Sequence, residues 1–172
     1  MLASYPEAYK TLVAKSYYFE PTWKHALRWL FTFTLLAMNY VSFQRRSFFR
    51  LSLFLTFWTQ WLTLIYVAFV CLVQSAFLND VKVRGVATLH EITMTMNVFV
   101  MLIYWPLLYQ TDIAKPDNQN DTVNWVMAHL NHSVPFLVVA VNHLISKTQV
   151  FSGNGLIFVP LSIAYMIMSI YA

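Results

Sequence analysis

Charge is scarce in this chain. Only 10% of its 172 residues are charged, where a soluble domain carries roughly a quarter. A larger core does not explain the shortfall, because a soluble fold still needs a polar skin. The ionic residues that are present cluster in short breaks between apolar runs, so an ordinary water-soluble domain is excluded and lipid is the expected solvent. Cysteine is limited to Cys71, which lies inside an apolar run; no intramolecular disulfide can form, and the residue reads as packing. Glycine occurs three times. The longest apolar run has neither glycine nor proline, and no run holds an unpaired charge at mid-depth, which speaks against a carrier or channel. The net charge of +4 is small and scattered, without the basic patch that nucleic acid requires. The first 25 residues lack the apolar stretch of a signal peptide and read as an amphiphilic tail.

What the chain has is apolar bulk: 59% hydrophobic residues, 17% aromatic, and a mean hydropathy of +0.55. Five runs, at 26–43, 51–78, 89–109, 126–145 and 156–172, approach or exceed the length needed to cross about 30 Å of hydrocarbon at 1.5 Å per residue. The expectation is an all-α, polytopic transmembrane bundle of about five spans, a single domain over 26–172. Residues 111–124 form the one loop with strong turn chemistry. Tyr104, Trp105 and Tyr109 at the end of the third run read as an interfacial belt. With the N-terminus inside, the inner side collects Lys10, Lys15, Lys24, Arg28, Lys82, Arg84 and Lys147, and the Asn120-Asp121-Thr122 sequon falls outside.

Polar groups inside such spans are costly unless paired, which makes them functional candidates. His129, His132 and His143 fall on one side of the fourth run, so that stripe faces protein. Interhelical hydrogen bonding, with Asn131, Ser133 and Asn142, is one reading. A metal site is weaker, because His129 and His132 lack a cysteine or carboxylate at their depth. A haem on His132 or His143 lacks an obvious partner, since His25 and His90 sit near the inner face. No metal and no cofactor are expected. Runs two and four, both even-numbered, point the same way, and Thr56 and His132 lie equally deep, about 8–9 Å inside one membrane face. A hydroxyl beside an imidazole is the minimal nucleophile and base for acyl transfer. The ordinary role of such a threonine is a bond to the carbonyl one turn earlier. Asp112 is the nearest-depth group that would orient the imidazole.

Three segments carry a resemblance. The run from Phe54-Leu55-Thr56-Phe57-Trp58-Thr59 to Tyr66 resembles the nucleophile helix of the androgen-induced (FAR-type) family of multi-span membrane threonine hydrolases. The stretch from Leu89-His90-Glu91 to Tyr104-Trp105 and Tyr109 resembles that family's following helix. His129-Leu130-Asn131-His132-Ser133-Val134-Pro135-Phe136 is similar to its H-x-x-H-[ST] helix. The ordered match runs over about 54–165 and extends to the related rolling-stone proteins. It implies Thr56 and His132 as catalytic residues and hydrolysis of fatty acid esters of hydroxy fatty acids in the secretory pathway or plasma membrane. Membrane lipid and a hydrophobic acyl ester are then the expected partners. The alternative is a non-catalytic accessory subunit among other membrane subunits, as in an organellar inner membrane, motivated by the short chain and by aromatics on every run.

Overall fold

The computed structural model describes residues 21–45, 54–74, 83–114 and 121–146, and among these the chain is all-α. Helix α1 spans Thr22–Arg45, α2 Leu55–Gln74 and α3 Val83–Ile103. A π-helical turn, Tyr104–Leu108, leads from α3 into the short α4, Tyr109–Ile113, and α5 spans Thr122–Ser146. Helices α1, α3 and α5 begin before their apolar runs, whereas α2 begins inside its own. The Pro21 carbonyl accepts from the Lys24 N–H at 3.0 Å. The Asp121 carboxylate accepts from the N–H groups of Val123 and Asn124, at 2.8 and 3.3 Å, satisfying donors that a helix start leaves unpaired.

The expected bundle of five spans is met in part. Two stretches, Leu55–Leu72 and Gly85–Thr111, are long and apolar enough to cross a membrane. Helices α1 and α5 are long but less apolar, because each turns a polar stripe inward: Arg28, Thr32, Asn39 and Ser42 are buried on α1, and Asn142 and Ser146 on α5. The run at 156–172, the tail residues 1–20, and the basic residues Arg46, Arg50, Lys82, Lys115 and Lys147 lie outside the described residues.

Helices α2 and α5 form the shared pair, each packing against both α1 and α3 as well as against each other. Their contacts keep one register. Thr56 meets His132 and Tyr66 meets Asn142, both 76 residues apart, so the two helices run parallel. Both α1 and α3 oppose them: Arg28 reaches Asn142 and Arg45 reaches Asp121, while His90 meets His143 and Tyr104 meets His132. The apolar core between the helices includes Leu35, Leu64, Val67, Val70, Val86 and Val138. Cys71 packs there as expected, its sulfur 3.7 Å from the Thr32 hydroxyl.

Outward faces are apolar. On α1, Leu30, Phe33, Leu36 and Tyr40 are exposed opposite buried Arg28 and Asn39; on α5, Leu130, Leu137 and Leu144 are exposed opposite buried Asn142. That is the reverse of the polar-out pattern of a helix packed in water.

Candidate active site

Five threonines in these helices share a local habit. The hydroxyls of Thr32, Thr34, Thr59, Thr63 and Thr95 each donate to the carbonyl four residues back, at 2.8–2.9 Å. Thr56 departs from it. It is the second residue of α2, where no helical turn precedes it, and its hydroxyl lies 3.1 Å from Nδ1 of His132 on α5. The structure therefore brings the two expected residues into hydrogen-bond contact. With the ring proton on Nε2, the Thr56 O–H donates to Nδ1, the arrangement a base needs to take the hydroxyl proton.

The His132 ring is held by a group that sequence reading assigned elsewhere. Tyr104, expected in an interfacial belt, is buried, and its ring stacks on His132 with centroids 3.3 Å apart and planes 7° from parallel. Its placement traces to Pro106. A proline inside a helix has no N–H to give and crowds the carbonyl one turn back. Here the helix widens over Tyr104–Leu108, and the Tyr109 N–H reaches the Tyr104 carbonyl five residues earlier. Such π turns frequently mark functional sites. The available signal was a proline within an apolar helical run.

His129 takes no part in the pair. Its Nδ1 donates to the Trp125 carbonyl at 2.8 Å and its Nε2 lies 3.2 Å from the Tyr109 hydroxyl, so it joins α5 to α4. Among the described residues no group of three or more His, Cys, Asp or Glu is placed to hold a metal ion. Asp112 lies on α4, but its side chain is outside the described residues.

A pocket of about 90 Å³ opens on the pair, lined by Thr56, His132, Gln60, Asn131 and the apolar Phe54, Phe57 and Met127, with Arg45 at its edge. It has room for several waters or an ester group. Arg45 is tied down there: Nη1 donates to Asp121 Oδ2 at 2.5 Å and to Asn124 Oδ1 at 3.1 Å, joining the end of α1 to the start of α5. The hydrogen bond from Arg45 holds the Asp121 carboxyl below the usual carboxylate range, helped by the two cap N–H groups. A carboxyl depressed in the folded state stabilises above its unfolded pKa, about 3.9, and loses that contribution as pH falls through the folded value. Asp121→Asn keeps the cap and removes the ion pair. We expect it to melt below the unaltered protein at pH 7, with the gap closing below about pH 4; a gap independent of pH excludes the ion pair as its source.

No family model, curated protein or solved structure matches the chain. The chemistry is therefore read from the site itself.

A second polar centre lies ten residues along the same two helices, about 15 Å away at 1.5 Å per residue. Fully buried Arg28 donates from Nε to Asn142 Oδ1 and from Nη2 to Ser146 Oγ, both at 2.6 Å. Asn142 in turn donates to the Tyr66 hydroxyl. Beside it, His90 Nε2 lies 3.1 Å from His143 Nδ1. His90 was set near the inner face and discounted as a haem partner for His132 or His143, and Arg28 was counted with the basic residues of that face. Both are interior groups, because α3 and α1 turn those faces toward α5.

Proposed function

We propose that the chain is a multi-pass membrane hydrolase that cleaves long-chain lipid esters with Thr56 as nucleophile and His132 as base. The observation that carries this is the 3.1 Å contact between the Thr56 hydroxyl and His132 Nδ1 beside a pocket. The ordered resemblance to the FAR-type family supports the same two residues and extends the proposal to its substrates, fatty acid esters of hydroxy fatty acids, and to the secretory pathway or plasma membrane. The two long apolar stretches support the membrane reading. So do the outward leucines and aromatics of α1 and α5: each, being partly exposed, forgoes a fraction of the about 1.5–3 kcal/mol of full burial when left in water and nothing in hydrocarbon.

The reaction balances without another reactant than water. Thr56 Oγ bonds to the ester carbonyl carbon as its proton passes to His132 Nδ1, and the carbonyl π pair moves onto oxygen. Collapse breaks the bond to the alcohol, which takes the proton from Nδ1 and leaves an acyl-threonine. Water then attacks the acyl carbon, giving its proton to Nδ1. The second collapse releases the acid and returns that proton to Thr56 Oγ. The position of Thr56 in the first turn of α2 helps, since the positive end of a helix dipole favours developing negative charge.

An apolar exterior serves lipid and partner subunits alike, so it does not separate an enzyme from an accessory subunit; the Thr56–His132 contact favours the enzyme. A long-chain fluorophosphonate, which phosphonylates an activated hydroxyl, tests it. We expect one adduct, located at Thr56 by peptide mass spectrometry and lost in His132→Ala. Labelling elsewhere, or none, leaves the pair as a helix-to-helix bond and the accessory subunit as the better account.

A further inference from the structure

We propose that Gln60 is the oxyanion donor of this site, its side-chain amide N–H holding the ester carbonyl oxygen as the π pair moves onto it. This rests on the hydrolase reading and adds a residue that neither the resemblance nor the nucleophile–base pair supplies. Gln60 is 1% exposed, lines the pocket with Thr56 and His132, and its Nε2 has no hydrogen-bond partner. Buried polar groups are nearly always paired, so the enclosed Nε2 gains a partner when the amide turns about its last side-chain bond and presents its N–H to an acceptor in the pocket. Six buried polar atoms lack a partner among the described residues. Two of them line the pocket, the Gln60 nitrogen, a donor, and the Asn131 Oδ1, an acceptor beside His132 in the chain.

The helix makes the placement specific. Gln60 follows Thr56 by four residues, about 40° around the helix and about 6 Å along it. Side chains on a helix lean toward its N-terminus, so the Gln60 amide reaches back over the turn that carries Thr56. Neighbouring polar groups on α2 are spent otherwise: Thr59 and Thr63 on backbone carbonyls, Tyr66 on Asn142. Gln60 donates without giving up a proton and serves both tetrahedral steps, because each places the negative charge on the same oxygen. Asn131 Oδ1 complements it as an acceptor for the hydrolytic water.

The test compares the unaltered protein with Gln60→Met, which keeps length and removes the donor, and Gln60→Asn, which draws the amide back. A long-chain ester is the substrate. A long-chain trifluoromethyl ketone, which Thr56 converts to an anionic hemiketal, and the corresponding secondary alcohol, which cannot form one, are the ligands. Gln60→Met is expected to lower kcat about 10²–10³-fold with KM nearly unchanged, and to weaken the ketone by a similar factor while the alcohol binds as before. Gln60→Asn is expected to fall between, and it decides by the same criteria where the methionine variant does not fold. Normal kcat and ketone binding in a folded Gln60 variant, with Thr56→Ala inactive, overturn the assignment and leave the hydrolase standing. No turnover by the unaltered protein overturns the hydrolase reading and Gln60's role with it.

Discussion

Thr56→Ala is expected to lower turnover of a long-chain ester by about 10³-fold or more, and His132→Ala by about 10²–10⁴-fold, the range for loss of a positioned general base. The two losses should not add. A nucleophile and its base act as one unit, so the double variant should be scarcely slower than the worse single one. Thr56→Ser, which keeps the hydroxyl, should retain most activity, while Thr56→Val, which keeps the shape and loses the hydroxyl, should match alanine. The valine variant also separates chemistry from packing, because the hydroxyl of Thr56 has its bond to His132 rather than to its own helix. Turnover of purified protein in detergent, with helicity checked by circular dichroism, is the measurement. Activity that survives Thr56→Val would show that the hydroxyl is not the nucleophile.

The second large effect concerns stability. Arg28→Ala should destabilise the fold by about 3 kcal/mol or more, since the fully buried guanidinium bonds both Asn142 and Ser146. Its removal leaves those groups facing a void, and an unsatisfied buried polar group costs about 1–3 kcal/mol by itself. Asn142→Leu should cost a comparable amount, because Asn142 also donates to Tyr66 and so ties α5 to both α1 and α2. Combining Arg28→Met with Asn142→Leu should recover part of the loss, for it removes the guanidinium and the amide together, although the Ser146 and Tyr66 hydroxyls each lose a donor. Lysine cannot restore Arg28, because one ammonium on a flexible stem does not present a rigid fork to two acceptors on successive turns. Thermal melting of the unaltered protein, Arg28→Met, Asn142→Leu and their double variant in one detergent gives the coupling directly; additive losses would mean that the two residues do not depend on each other.

Much of the frame was legible in the sequence. Low charge and long apolar runs point to helices, and helices in alternating directions make the second and fourth run parallel. Thr56 and His132 then fall at one depth, and the structure joins them and keeps the same 76-residue offset at Tyr66 and Asn142. Number and apolarity were less legible. Polar stripes on α1 and α5 face inward and reduce the stretches apolar enough to cross a membrane to two among the described residues.

Rotation about the helix axis was not legible. Tyr104 was placed in a belt and is instead stacked on His132; Arg28 was placed at a membrane face and is instead enclosed; His90 was discounted as a haem partner for His143 and in fact lies in hydrogen-bond contact with it. Each of these depends on the direction in which a side chain points around its helix, and for Tyr104 on a widened turn at Pro106. The sequence by itself determined helix type, order and the matching level of Thr56 and His132 on two parallel helices, because the rise per residue is constant and consecutive helices reverse. Only the tertiary structure decided which polar groups meet, because azimuth is set by side-chain packing across helices far apart in the chain.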